Sequence, residues 1–535
     1  MDRVANTASN TVVPKKRSKK KNVFLLKNPR HTPALPYYHL LATLRVGPRC
    51  RSMGILVCTF FSQSVALAVD QCDVAPVTVD VLPDVALLRM FDFYLHDTQI
   101  EAWRTLVHVC RKWRSVAFGS PRRLNLRLYC DATSQVKGRL AVWPPWPIVV
   151  YNDGYEERGV RSIVAALEHN DRVCGIEFCW YDSPWDSSSS SQMEKVLAAM
   201  RRPFPALTNL IVRAEGKAAP AAPASFLGGS APELRKLVLC RIPFLALPKL
   251  VLSATHLVDL ELLDIPDSGY FPPEAMATSL SVLSRLERFR ISFESLGSHP
   301  GQKSRRPFPQ TRTLLPVLTG LWFGGVPKYL EVLMAHIDAP LLNELYMSFS
   351  TFDTPQLTPF ISRLPKSKAH NEANVVFFSQ DVVLRLPRTF DGALELEITC
   401  EEPEEPVSWM AQLCGSSLPQ ALVHKVEHLY VLRGELSYGE DGDFDIEENG
   451  WLELLRPFIS VKRLYIQSKF EHNLTPVLRG LVGESMAEVL PALQTIFFQD
   501  SYGQGRFKQA IGPLLAERRL SGHPVTVSRW DGIVR

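Results

Sequence analysis

One short pattern governs what this chain can fold into: an apolar residue, two of any kind, a second apolar residue, one of any kind, and a third apolar residue. It returns at Val173-Ile176-Phe178, Leu207-Leu210-Val212, Leu234-Leu237-Leu239, Leu257-Leu260-Leu262, Leu286-Phe289-Ile291, Leu318-Leu321-Phe323 and Leu342-Leu345-Met347, then again at Val426-Leu429-Val431, Val461-Leu464-Ile466 and Leu493-Ile496-Phe498. The last two positions have the spacing of one strand face, where alternate side chains point the same way. Returns lie between 23 residues apart, from Leu234 to Leu257, and 35 apart, from Val426 to Val461. Helix-like segments such as Ser191 to Met200 and Trp451 to Pro457 fall between them. A strand-and-helix unit this short leaves an apolar edge that only its neighbour can cover, so the expected architecture is an α/β solenoid with a parallel sheet. An ordinary α/β domain also alternates strands with helices, but has no reason to keep one template ten times.

In length and pattern these units are similar to leucine-rich repeats of irregular period. Between Asn371 and Cys400 the template blurs, leaving room for one repeat or two. Upstream, Leu124, Leu126 and Leu128 alternate with Asn125 and Arg127 as a half-buried strand does, placed to cap the array. Val142 to Pro147, VWPPWP, reads as a rigid connector into a second strand, Ile148 to Tyr151. The serine run Ser187 to Ser191 reads as a flexible linker.

A different period governs Val81 to Pro121. Pro83 stands where a helix begins and Asp84 puts a carboxylate at the positive end of its dipole. Leu87, Met90, Phe91 and Tyr94 form one apolar helical face, and after HDTQ a second helix carries Ile100, Trp103, Val107, Cys110, Trp113 and Ala117 on one side, with Arg114 toward water. Gly119 and Pro121 end it. About 40 residues bury too little surface to fold alone, so this module needs a partner.

Leu82-Pro83, the apolar Met90, and Leu106-x-x-Val109-Cys110-Arg111-Lys112-Trp113 resemble the F-box, although Val85 stands where that family usually has an acidic residue. From Val77 onward the chain is similar to the large F-box-plus-repeat proteins of mushroom-forming (basidiomycete) fungi. The resemblance implies a short helical F-box at 77–121 that docks on a Skp-type adaptor of a cullin ubiquitin ligase. It places Leu82, Pro83, Asp84, Leu87, Met90, Leu106, Val109, Cys110 and Trp113 toward that adaptor, with Trp113 shared between the hairpin and the partner. The solenoid, 122–535, would then select a protein substrate of unknown identity. The expected function is substrate receptor of a Skp-cullin ubiquitin ligase, with a leucine-rich interaction scaffold lacking any ligase role as the alternative.

Residues 1–76 carry turn formers, prolines and the basic run Lys15, Lys16, Arg17, Lys19, Lys20 and Lys21, and are expected to be disordered. The run is a nuclear localisation signal or a solvated tail. It supplies six of the positive charges behind a formal net charge of +5, so the remainder sums to −1 and offers no nucleic-acid surface. Met53 to Val69 holds no charge and approaches membrane-spanning length, but its centre, Ser62-Gln63-Ser64, is polar. An anchor there would send the F-box into the lumen, away from any adaptor, so the segment is left open between anchor, disordered stretch and faulty gene model. Ten cysteines occur without a C-x-x-C pair, which fits reduced thiols in a cytoplasmic or nuclear protein.

Catalytic patterns are few. His424-Lys425-Val426-Glu427-His428 spells H-x-x-E-H, a zinc-peptidase arrangement that requires a helix, yet it falls on the strand template at Val426, Leu429 and Val431. No P-loop, G-x-S-x-G elbow or G-x-G-x-x-G is present. The acidic clusters Glu401 to Glu405 and Glu440 to Glu448 read as solvated loops. No catalytic residue, metal or cofactor is therefore expected.

Overall fold

The computed structural model describes residues 82–97, 102–119, 126–130, 135–143, 145–152, 159–181, 189–215, 219–294, 312–349, 355–364, 370–378, 381–387, 394–401, 405–434, 448–483, 488–499 and 504–532. The basic leader, the segment Met53 to Val69 and most of the acidic stretch 440–448 lie outside these residues. The chain divides into two compact units, Met1–Leu87 and Leu88–Arg535, a boundary that falls within the first helix.

That helix, α1, spans Asp84–Asp97 with Asp84 in its first turn. The carbonyl of Pro83 accepts the N–H groups of Ala86 and Leu87 at 2.9 and 3.1 Å, so the proline sits just before the helix and loses no hydrogen bond. The single second helix expected from the sequence is two: α2, Ala102–Val109, and α3, Arg111–Gly119. Cys110 makes the break. Its Sγ accepts the N–H of Trp113 at 3.4 Å and its carbonyl accepts that of Arg114 at 3.1 Å, the pair of bonds an N-cap residue makes. The helical phase predicts that Arg114 faces water. It is exposed, but its Nε donates to the Val107 carbonyl at 2.9 Å and so ties off the end of α2.

The strands follow in chain order: β1 Leu126–Tyr129, β2 Ile148–Asn152, β3 Val173–Tyr181, β4 Asn209–Glu215, β5 Lys236–Cys240, β6 Asp259–Ile265, β7 Arg288–Phe293, β8 Thr313–Leu314, β9 Gly320–Gly325, β10 Ile337–Asp338, β11 Glu344–Phe349, β12 Glu372–Phe377, β13 Asp381–Leu386, β14 Glu395–Glu401, β15 His428–Arg433, β16 Arg463–Ile466, β17 Thr495–Gln499 and β18 Thr526–Trp530. Sixteen of them form one sheet, and β8 and β10 pair separately. All ten template triplets supply strands of the large sheet. Except at Val173, which opens its own strand, the first apolar residue of a triplet lies in the turn before its strand, as at Leu234, whose N–H reaches the Ala231 carbonyl at 3.2 Å. That turn repeats at Leu207 to Phe204, Leu257 to Ala254, Leu286 to Leu283 and Val461 to Phe458, and the acceptor residue is buried each time. The true unit is therefore one apolar position longer than the sequence pattern.

Where strand order is sequential and parallel, the general rule of one crossover hand puts the connecting helices on one face of the sheet, the face into which the template residues point. The burial agrees: Leu260 and Leu262 are fully or nearly fully buried, as are Leu321 and Phe323. The strand expected to cap the array, β1, is one edge, and the sheet ends at β18 on the other. Before β2, Trp146 of the connector packs on Phe118 of α3 with ring centroids 5.0 Å apart. The serine run is no linker at its C-terminal end, since Ser189 to Ser191 open the helix Ser189–Ala199.

The blurred stretch contains three strands, and they break the order. The sheet runs β11-β14-β13-β12-β15, with β13 antiparallel to both neighbours. Register explains the blur: Ala373 and Val375 align with Leu429 and Val431, which puts His370 where the other units have their first apolar residue. It is buried to 1% exposure, and neither ring nitrogen makes a well-formed hydrogen bond among the described residues, the Pro387 main chain being its polar neighbour.

Candidate functional site

The residues expected to meet an adaptor divide by exposure. Pro83 and Asp84 are exposed, Leu82, Met90, Val109 and Cys110 are half-buried, and Leu87, Leu106 and Trp113 are buried. Trp113 is a core residue here. Its ring stands edge-on to Phe91 with centroids 5.1 Å apart, so α3 is held to α1 through it. Val85, at the position that departs from the family, is 62% exposed and presents an apolar side chain beside Pro83.

The second candidate surface is the sheet face opposite the helices, built from the template position that sequence reading passed over as any kind of residue. In register across it stand Glu261, Arg290, Trp322, Tyr346, Glu397, Arg385, Asn374, Tyr430, Tyr465 and Phe497. The signal that could have found them is charge and aromaticity in the slot between the last two apolar residues of each triplet.

Around β5 to β7 this face is an ion-pair network. Lys236 Nζ lies 2.9 Å from Asp259 and 3.3 Å from Glu261, while Arg288 is 2.9 Å from the same Asp259 oxygen. The hydrogen bond to Asp259 raises the Arg288 pKa above its ordinary value. Next comes a stack: the Arg290 guanidinium sits 4.2 Å from the Trp322 ring centroid, and the Trp322 and Tyr346 rings are parallel to within 1° with centroids 5.5 Å apart. The Tyr346 hydroxyl donates to Glu395 at 2.9 Å. Burial, then that hydrogen bond, then the carboxylates of Glu395, Glu344 and Glu397 push the Tyr346 phenol well above its usual pKa. Beyond β12 the face turns aromatic, with Tyr430 on Tyr465 at 4.1 Å and Tyr465 on Phe497 at 4.6 Å, both stacked, and Trp530 edge-on to the two tyrosines.

The H-x-x-E-H residues hold no metal-binding geometry. His424 ends the short helix Gln420–Val423, Glu427 pairs with Lys462 at 2.7 Å, and His428 begins β15 with its ring stacked on Tyr465. The hydrogen bond from Lys462 holds the Glu427 carboxyl below its ordinary pKa, and burial lowers that of His428. Among the described residues, no group of three or more His, Cys, Asp or Glu is placed to hold a metal ion, and no helix is long and apolar enough to cross a membrane. Burial pushes the Cys414 and Cys400 thiols up to about 12 and those of Cys174 and Cys240 to about 11, so they are protonated and weakly nucleophilic at neutral pH.

No protein-family model and no curated protein matches the chain. The solved structure of the leucine-rich repeat-containing protein LegL7 from Legionella pneumophila aligns with 72% of this chain and 97% of its own length, at 11% identity and a TM-score of 0.25. So shallow a superposition carries no argument; the repeat architecture rests on strand order and on the tenfold template.

Proposed function

We propose that this chain is a protein-recognition scaffold that docks on a Skp-type adaptor through its helical start and presents a protein substrate on the open sheet face for ubiquitination by a cullin ligase. The chain itself carries out no bond chemistry; its contribution is to hold the substrate near a conjugating enzyme bound elsewhere, which is a proximity effect. The observation that carries the recognition role is the stretch of partly exposed charged and aromatic side chains, Arg290, Trp322, Tyr346, Glu397 and Arg385, on the sheet face opposite the template residues, residue types that include common anchors of protein interfaces. Support for the adaptor role is the F-box resemblance together with the exposed Pro83, Asp84 and Val85 at the start of α1. The second reading keeps the recognition face and drops ubiquitin transfer.

The deciding experiment purifies the tagged full-length chain from proteasome-inhibited cells and probes for the adaptor and cullin. Both should co-purify with the wild type, and Leu82→Ala with Pro83→Ala should lose both while circular dichroism is unchanged. Adaptor without cullin favours the scaffold, and neither protein removes the F-box reading. Trp113→Ala should also lose the adaptor, but through the fold: a buried tryptophan truncation costs about 3–5 kcal/mol, so α3 should lose amide-exchange protection. A Trp113→Ala protein whose α3 stays protected would return that residue to the interface.

A further inference from the structure

At the N-terminal ends of the strands, a second row of the open face places Lys236, Asp259, Arg288, Gly320, Glu344 and Glu395 side by side in register. Its two halves differ. From Lys236 to Arg288 the charges alternate, and the one carboxylate, Asp259, is ion-paired to both neighbours. Past Gly320, Glu344 and Glu395 face each other directly across β11 and β14, and among the described residues neither has a cationic partner. Like charges directly opposed on a sheet are destabilising unless something cationic joins them. Gly320 links this pair to the aromatic stack: a Cβ there would lie 2.4 Å from the Trp322 ring, so the indole covers the glycine. Both faces of that indole are taken, one by Arg290 and the other by Tyr346. What remains open are the ring edges and the two carboxylates, all partly exposed.

We infer that this part of the face takes an extended basic segment of a protein partner, seating an arginine or lysine between the Glu344 and Glu395 carboxylates with its aliphatic stem across the edges of the Trp322–Tyr346 stack. The inference rests on the open face being the recognition face, and it names the class of partner. A cation at that point turns a repulsive pair into a bridged one, whereas a phosphate or an acidic peptide would add a third like charge. The long stem of arginine or lysine suits ring edges, since these residues cover apolar surface with their methylenes while the charged head stays polar-bonded. The carboxylates, hydrogen bond and stack around Tyr346 supply the fixed partners that such a side chain needs.

The test uses the full-length chain and a fluorescein-labelled octapeptide of alternating arginine and serine, with a twin in which citrulline, the uncharged isostere, replaces each arginine. Anisotropy titration should show binding of the arginine peptide that weakens with added salt, and no binding of the citrulline peptide. Glu344→Gln with Glu395→Gln preserves shape and removes charge, and should weaken binding about tenfold; Trp322→Ala should do the same. Glu453→Gln, exposed on a helix, should leave binding unchanged. Equal binding of both peptides, wild-type affinity in the double glutamine variant, or no binding of the arginine peptide would each overturn the inference. Failure of the parent reading looks different. If Arg290→Glu, at the centre of the face, abolishes capture of the cellular partner while the arginine peptide is ignored, the face remains the recognition surface and only its basic ligand is lost. If Arg290→Glu changes nothing, the open face is not the recognition surface.

Discussion

Between β3 and β7 each unit lays its strand beside the one before, whereas after β11 the chain passes over two positions, lays β12, doubles back through β13 and fills the skipped place with β14. Both stretches belong to one continuous sheet, but what holds a strand in place differs. In the sequential run, neighbours in space are neighbours in sequence, so each strand depends on the units just before and after it, the near one-dimensional coupling of repeat proteins. In the inserted stretch, β11 meets β14 and β12 meets β15 across longer loops, which cost more entropy to close. Within the sheet, among the described residues, the two parallel arms meet through the β14-β13-β12 stretch, whose central strand β13 is antiparallel to both sides. Its helix-side residues Val382, Leu384 and Leu386 are buried as completely as those of any regular strand.

The largest effect expected from this contrast is spatial. Leu384 of β13 and Leu237 of β5 are 1% and 0% exposed, so truncating either to alanine should cost about 2–5 kcal/mol. Leu237→Ala should lower amide-exchange protection in β4 to β6 and leave β15 to β17 untouched. Leu384→Ala should lower it in β11, β14, β12 and β15 together, because both arms close on β13. Protection in β15 that survives Leu384→Ala would show that the arms stand without their joint.

His370 sets the next effect. It occupies the leucine position of its unit without a well-formed hydrogen bond to either nitrogen among the described residues, and burial lowers its pKa below the ordinary value, partly offset by a hydrogen-bonding interaction with the Pro387 main chain. A folded-state pKa below the unfolded one means that the unfolded chain takes up the proton first. Stability tied to this residue is therefore fully present above about pH 6.5 and is lost as pH falls through the folded value. His370→Leu should stabilise by about 1–3 kcal/mol, the cost of an unsatisfied buried polar group, and the gain should be larger at about pH 5.5 than at about pH 7.5. Denaturant midpoints at the two pH values measure it, and a gain that shrinks on acidification would contradict the burial argument.

The same residue explains how much of the molecule the sequence discloses. Leucine, valine and phenylalanine at fixed spacing announce ten strands because packing on the helices demands them there, and those strands are where the template places them. Strand order is carried by no such rule: β12 to β14 are apolar enough to be strands, but His370 hides the first of them and nothing local says that β13 runs backward. The helix break at Cys110 is hidden for a similar reason, since a thiol that caps α3 looks like one more apolar position in a helical stripe. The open face was invisible as a site because its residues fill the slot that the template leaves free, and only register reveals that Arg290, Trp322 and Tyr346 are neighbours.

The smallest expected effect separates charge from packing as the glue of the inserted stretch. Arg385 of β13 pairs with Glu397 of β14 at 2.7 Å, but the two side chains are 43% and 29% exposed. In the sequential run Asp259 is held by Lys236 and Arg288 with its own side chain only 4% exposed. Solvent screens the first pair far more than the second, so Arg385→Ala should cost under about 1 kcal/mol and the loss should fade in high salt. Asp259→Ala strands two cations beside a site that water hardly reaches, and should cost more and keep most of its cost when salt is added. Urea denaturation of both variants at low and high salt ranks them. A cost for Arg385→Ala that exceeds that of Asp259→Ala would mean that β13 is held by its charges, and the amide-exchange contrast expected from Leu384→Ala would then have to be carried by the Arg385–Glu397 pair instead.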